Sequence, residues 1–457
     1  MRTSLFILLA VALLFGLSSS VYSEEINTDV NGDGEVNILD LVRVASAFGE
    51  PVSDENAAAD VNGDGEINIL DLVAVANDFG TLSLPTEPSD APGSITNAEV
   101  VSEPVAPPSE NTQDTFVVGI VLPLSGHLAA IGEIMQSGFE LGLLEIVGRS
   151  DIKYIFIDDK STAEGAVSAF QTLIHEEGVS VILGPGSSSS ARAAFPIAQE
   201  NGVVAISATA GARGLAAIGD FVFRTALTTD VVIPKEVEAT QVKLGYQRVA
   251  TLYDAADLFS SDRDAALQLA LDDNGVEVLG RHTYKTGTTD FTAQLTDIKA
   301  LNPDALFVSA LPPEKPRILI QARDLGLSVP ILISSLTEVE VEAAGTAAEG
   351  AITFTGWLPT AETPGNQVFV EQYRKDYGTD PNAFAAATYA CVHVFAEALK
   401  QAENTDAQSI RDALARIQNL DTILGKFSFN VDGDGVYAPN IRIVRDGVLQ
   451  PFTEVEN

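Results

Sequence analysis

The sequence predicts an α/β protein of two doubly wound parallel-sheet lobes, preceded by a small all-α module. Three observations carry that expectation. From Phe116 onward, short β-branched runs alternate with amphipathic helical stretches almost without exception, the signature of βαβ units whose sheets are covered on both faces. Upstream, a strongly acidic motif occurs twice, beginning at Asp29 and again 31 residues later at Asp60. Between the two regions lies a proline-rich stretch with no periodicity, which cannot bury a core. The 457 residues also exceed what one core organises, since chains divide into domains beyond about 250–300 residues.

Residues 1–23 read as an export signal. Arg2 is the positive flank, Leu5 to Leu17 the apolar core, and Val21-Tyr22-Ser23 a small-residue cleavage site. The apolar run is short for a membrane span, and no cysteine follows it to carry a lipid. The mature chain is therefore expected to be exported, periplasmic or extracellular, and soluble, without direct membrane insertion. Its single cysteine, Cys391, sits on an apolar helix and reads as a core residue, so no intrachain disulfide supports the fold. A formal charge of −38 argues against electrostatic binding to nucleic acid or anionic lipid.

That charge is concentrated. Residues 24–80 hold 14 acids against one base, Arg43. The repeats DVNGDGEVNILDLVRVASAFG and DVNGDGEINILDLVAVANDFG place oxygen donors at loop positions 1, 3, 5 and 12 with glycine at position 6. These are Asp29, Asn31, Asp33 and Asp40 around Gly34, then Asp60, Asn62, Asp64 and Asp71 around Gly65, with the carbonyls of Glu35 and Glu66 at position 7. Carboxylates at alternate positions converge on a hard cation, and the glycine allows the turn that aims them. About two calcium ions, one per loop, are expected here. Ile38, Leu39, Leu41, Val42 and Phe48, with Ile69, Leu70, Leu72, Val73 and Phe79, form one apolar helix face behind each loop. The pair resembles a dockerin, the duplicated calcium module that binds cohesin domains, and the aspartate at position 12 is part of the resemblance. A cohesin-like partner is implied. Familiar dockerins carry a polar partner-reading pair where this chain has Ile38-Leu39 and Ile69-Leu70.

Residues 81–115 form the linker, with six prolines, six acids and no base. Strands are then expected near 116–122, 152–157, 179–183, 203–206, 221–224, 247–253, 276–284, 304–309, 330–333 and 351–356, with the longest helix at 382–402. The stretch VSVILGPGSSSSARAAFPIAQENGVVAISATAG, Val179 to Gly211, organises the rest. Two buried strands end in small-residue turns, and a helix opens with serine at its N-cap. Ser187, Ser188, Ser207 and Thr209 thus reach the carboxyl edge of a parallel sheet, beside a helix N-terminus that favours an anion.

Residues 116–452 resemble the type-one periplasmic binding proteins, specifically the leucine/isoleucine/valine-binding group. The segments that carry this are GIVLPLSGHLAAIGE (119–133), IDDKSTAEGAVSAFQTLI (157–174), VILGPGSSSSARAAFPIAQENGVVAIS (181–207), FRTALTTD (223–230), ILIQARDLGL (318–327), AAEGAITFTGW (347–357) and FAAATYACVHVFAEAL (384–399). The resemblance implies a two-lobed solute-binding domain over 116–457. Lobe 1 would take about 116–228 and 358–427, and lobe 2 about 229–357 and 428–457, with hinge crossings near 227–231, 356–360 and 424–430. It implies capture of a small amino-acid-like, amide or carboxylate ligand for an ABC permease. Carried over residue by residue, the carboxylate-binding serine falls at Ser188 beside Ser187. The next ligand-binding turn falls at Thr209, Ala210 and Gly211, and the first loop at Ser125 and Ile131. The family's threonine aligns with Gly211, its second-lobe tyrosines with Phe259 and Leu311, and the acid that meets a ligand ammonium with Ser335. Trp357 stands where an aromatic walls the cleft or packs between lobes. Without that acid a buried ammonium is costly, unless Glu338 reaches back into the site.

No catalytic residues are expected. His127, His175, His282 and His393 lack ligand spacing, and Ser187 to Ser190 have no base and acid placed to activate them. NVDGDG at 430–435 reads as a tight turn and Asp158-Asp159 as strand-end polarity. A ligand-binding sensor or adaptor tethered through the dockerin-like module is the alternative function.

Overall fold

The computed structural model describes residues 28–31, 36, 40, 43–44, 47, 52–53, 56–62, 65, 67, 71, 74–75, 116–146 and 152–452. The signal segment 1–23, the linker 81–115, and Asp33, Glu35, Asp64 and Glu66 lie outside them, as do all ten residues of the expected apolar helix face. The chain divides into two compact units, Met1–Pro108 and Ser109–Asn457.

In the first unit the repeat recurs as packing. Val30, Val36 and Val44 are buried together with Val61, Ile67 and Val75, their counterparts in the second copy. The amide of Asn31 donates to Asp40 Oδ1 at 2.9 Å, and that of Asn62 to Asp71 Oδ1 at 3.1 Å. Each acidic loop is thus closed from position 3 to position 12.

In the second unit, β-branched runs bounded by glycine and proline become parallel strands, the central ones buried on both faces and the edge runs Ile152–Asp158 and Glu277–Tyr284 partly exposed. The first sheet comprises β1 (Phe116–Leu122), β2 (Ile152–Asp158), β3 (Val181–Leu183), β4 (Val204–Ser207) and β5 (Val222–Arg224). Its order is β2-β1-β3-β4-β5, and every pairing is parallel. The second sheet contains β6 (Arg248–Asp254), β7 (Glu277–Tyr284), β8 (Ala305–Ser309), β9 (Ile331–Ile333) and β10 (Ile352–Thr355), again parallel to one another. Helices cover both, among them α1 (Ala129–Ile146), α2 (Ala163–His175), α3 (Ser188–Glu200), α4 (Thr229–Leu244) and α5 (Leu258–Asp273). Further along lie α6 (Thr292–Leu301), α7 (Lys315–Asp324), α8 (Glu338–Ala344), α9 (Asn366–Tyr377) and α10 (Ala383–Gln401).

Two features depart from the expectation. A small antiparallel sheet of β11 (Leu420–Thr422), β12 (Gly425–Phe429) and β13 (Gly435–Val436) follows the helices. The second sheet then gains an antiparallel hairpin, β14 (Asn440–Arg445) and β15 (Val448–Pro451), at its edge beside β10. Asp446 and Gly447 both have positive φ, the two-residue hairpin turn that Asp-Gly favours.

The crossings between lobes follow from which core each segment joins. The chain leaves β5 for α4 and leaves β10 for Trp357, which packs with Phe369, Tyr373 and Tyr389 of the first lobe. The third crossing falls between Tyr437 and Asn440, later than the expected 424–430. Phe427 and Phe429 are buried in the first lobe's core, with Phe429 edge-on to Phe223 at 5.1 Å. Residues 428–437 therefore belong with lobe 1.

Candidate ligand-binding site

The carboxyl ends of both parallel sheets face one cavity of about 150 Å³. On the first wall, Gly184 turns the chain out of β3 at φ +120, and any Cβ there would lie 2.2 Å from the Val121 carbonyl oxygen. Ser187 caps α3 by accepting from the Ser190 amide at 3.1 Å. Ser188 is buried and its hydroxyl oxygen accepts from the Ala212 amide at 3.1 Å. Both hydroxyls thus keep their proton for a ligand oxygen. Thr209 has the opposite polarity, because it gives its proton to the Gly186 carbonyl at 2.6 Å and retains only acceptor capacity. Ser207 bridges the two turns, donating to Pro185 O at 2.7 Å and accepting from Ala210 N at 3.1 Å.

Arg224 locks this wall from below. It is fully buried, donates to the carbonyls of Ala210 and Ala212, and gives its Nε to Asp434 Oδ1 at 2.7 Å. Burial lowers its pKa while Asp434 opposes that shift. The 430–435 segment is indeed a turn, with Asn430 accepting from the amides of Asp432 and Asp434. It also supplies the counter-ion that holds the 210–212 backbone, a role the turn motif did not announce.

The second wall is more apolar. Phe259, Leu311, Leu336, Phe354 and Trp357 line it with Ser334, Ser335 and Thr337. A Cβ on Gly211 would lie 3.2 Å from both the Phe259 ring and the Leu227 carbonyl, so the ring occupies the room a threonine would need. Trp357 serves in both of the ways envisaged for it. It lines the cavity, while its Nε1 donates to Asn366 Oδ1 at 2.6 Å and its ring stands edge-on to Phe369 at 5.9 Å.

The lobes are closed on one another. Ser189 donates to Asp257 Oδ1 at 3.2 Å, and Arg213 pairs with Asp262 at 2.8 Å. Asp257 is buried at the N-cap of α5, and burial pushes its carboxyl above the usual range.

Of the expected ligand-binding residues, Ile131, Ser187, Ser188, Thr209, Gly211, Phe259, Leu311, Ser335 and Trp357 line the cavity. Two do not. Ser125 is exposed and turned toward the neighbouring loop, its amide donating to Asp158 Oδ1 at 3.0 Å and its carbonyl accepting from Ser161. Ala210 is fully buried beneath the turn, with its carbonyl committed to Arg224. Glu338 does not reach back into the site either, since it pairs with Arg442 at 2.8 Å on the outer side.

Sequence reasoning missed Lys315, Asp257 and Glu340. Lys315 lines the cavity at the first residue of α7, almost wholly buried, with its Nζ donating to the Ser335 carbonyl at 2.5 Å and Glu340 Oε1 3.0 Å away. Burial pulls its ammonium below the usual lysine range, against the pull of Glu340. A signal was present: a lysine opening a helix opposes the helix dipole, so that placement needs another reason.

A closed clamp of two α/β lobes around a small cavity, with hydroxyl donors on one wall, defines a solute-binding protein. The family model for periplasmic binding proteins matches residues 115–445, and the chain belongs to that family. The dockerin type I domain model matches residues 27–80. A Leu/Ile/Val-binding protein of Rhizobium johnstonii is 27% identical over 329 residues, covering 70% of this chain and 88% of its own. Among solved structures, the substrate-binding protein of a branched-chain amino acid transporter from Streptococcus pneumoniae, in complex with isoleucine, superposes with a TM-score of 0.69 at 28% identity. It covers 74% of this chain and 98% of its own. A solute-binding protein of an ABC transporter from Rhodopseudomonas palustris, in complex with 3,4-dihydroxybenzoic acid, gives 0.68 at 25% identity, covering 74% and 95%.

Proposed function

We propose that the clamp captures a small organic carboxylate or amide with an apolar body and delivers it to an ABC-type permease outside the cytoplasm. The carrying observation is the pairing of walls. Ser187 and Ser188 offer free hydroxyl protons at the N-terminus of α3, opposite Phe259, Leu311 and Trp357. A helix N-terminus with donor hydroxyls favours an anionic end, and the apolar wall favours a hydrocarbon tail. The relatives that hold isoleucine and dihydroxybenzoate support that shape of ligand. Trp357, the chain's one tryptophan, lines the cavity, so its fluorescence reports occupancy. Titration with branched-chain amino acids, their deaminated acids, amides and benzoates should give saturable binding by at least one class. No saturable change with any of them, by fluorescence or calorimetry, would refute the reading.

For the first unit we read two calcium loops and a cohesin-like partner that tethers the exported chain. Asp29, Asn31 and Asp40 with Asp33 and the Glu35 carbonyl would hold one ion, and Asp60, Asn62 and Asp71 with Asp64 and the Glu66 carbonyl the other. The donors fit: Asp40 and Asp71 are fully buried, and each is clasped by the amide nine residues before it. Calcium would supply the positive charge that one arginine among 14 acids cannot.

A further inference from the structure

We infer that Lys315 determines which ligands the clamp accepts, donating to an oxygen acceptor on the ligand and excluding α-ammonium compounds. The inference deepens the proposed function and rests on it. Lys315 lines the cavity while almost wholly buried, and its ammonium sits on the carbonyl of Ser335. Ser335 is the position at which the resemblance would put the acid for a ligand ammonium. The member of the Lys315–Glu340 ion pair that lines the cavity is therefore a cation, where an anion would be needed.

Of the three ammonium protons, the Ser335 carbonyl takes one, and Glu340 Oε1 lies 3.0 Å away as the ion-pair partner. That leaves a proton for the cavity. Glu340 is held in turn by Thr337, whose amide and hydroxyl both donate to Oε2 at 2.7 Å, so the pair is a fixed fixture of the wall. A ligand ammonium entering here would meet a like charge at low dielectric. The one acid in the lining, Asp257, already accepts from the Ser260 amide at 2.8 Å and from Ser189. A keto, hydroxyl or amide oxygen at the same point meets a ready donor. The ligand class this selects is a 2-oxo or 2-hydroxy acid, or a comparable acid bearing a second acceptor oxygen, with an apolar tail.

The test uses matched pairs that differ only in that group. Affinities for leucine and 4-methyl-2-oxopentanoate, and for phenylalanine and phenylpyruvate, are measured on the signal-free chain by calorimetry and Trp357 fluorescence, with benzoate alongside. The expected result is at least tenfold tighter binding of each oxo acid than of its amino acid. Lys315→Met/Glu340→Gln removes the ion pair as a whole, so that no buried charge is stranded, and should collapse that ratio toward one. A thermal melt checks that this variant is folded. Lys315→Arg should retain the preference. Tighter binding of the amino acids, or a preference unchanged in a folded double variant, overturns the inference while leaving the solute-binding reading intact. Loss of leucine binding in Asp257→Asn would then show which acid reads the ammonium. Binding of none of the five compounds would overturn the ligand reading and this inference with it.

Discussion

The two units of this chain bury carboxylates under opposite conditions. In the binding domain each deeply buried acid of a charged pair meets a base from the same chain. Glu236 and Arg263 are both fully buried and joined by two bonds of 2.8 and 2.9 Å, Glu340 meets Lys315, and the fully buried Asp264 meets Arg281. In the N-terminal unit Asp40 and Asp71 are equally buried, yet residues 24–80 contain one base. A buried charge must be neutralised in either case. The dockerin type I match supports calcium as the counter-charge to the first unit's excess of acids, whereas the second encodes its cations. Asp159 shows a third outcome. It is fully buried, no ion pair reaches it among the described residues, and burial pushes its carboxyl up to about 6.

The largest test of this contrast is chelation. Removing calcium should unfold the first unit entirely and leave the binding domain's thermal transition in place, as followed by circular dichroism and calorimetry on the intact chain. An unchanged helical signal in chelator would break the comparison at once. Next in size, Lys315→Met alone strands Glu340 and should cost about 3–5 kcal/mol of binding-domain stability, read from denaturant unfolding. The double variant with Glu340→Gln should recover most of that loss. A single variant as stable as the parent would mean that the pair is not buried in solution.

A smaller effect tests the neutral wall. Ser188→Ala should weaken ligand binding by about 1–3 kcal/mol, the range for losing a hydrogen bond to a charged group, and should also lower the melting temperature of the free protein, because the buried Ala212 amide loses its acceptor. Calorimetry with the best ligand decides it. Asp159 then gives a pH signature. Its folded pKa lies above its unfolded one, so the folded state binds more protons between about pH 4 and 6, and stability rises as pH falls through that window. The slope from this group is at most about 1.4 kcal/mol per pH unit, and Asp159→Asn should remove it. Ser335→Ala should do least, within about 0.5 kcal/mol on stability, because Lys315 is held by the Ser335 carbonyl and not by its hydroxyl.

How much was legible from residues alone depended on whether the information was local. All ten parallel strands fall where β-branched runs are bounded by turn residues; the central ones, buried on both faces, are apolar throughout, while the edge strands β2 and β7 carry polar residues on their open side. The Asp446-Gly447 hairpin is equally local, but strand–helix alternation by itself points only to parallel sheets. The position of the third hinge crossing was not local. It depends on whether Phe427 and Phe429 join one core or the other, and both cores are equally apolar.

The sequence by itself determined the order of elements, the duplicated acidic loops, and the serines at the N-terminus of α3, because capping, turn chemistry and periodicity act over a few residues. Only the tertiary structure brought Lys315 and its partners to the second wall. Lys315, Ser335 and Glu340 are 20 and 25 residues apart from first to second and first to third, on separate elements, and no spacing rule links them. Their meeting is set by how α7 and the turn after β9 pack at the sheet edge. The same packing sends Glu338 outward to Arg442 and Glu340 inward to Lys315, although the two glutamates share one helix.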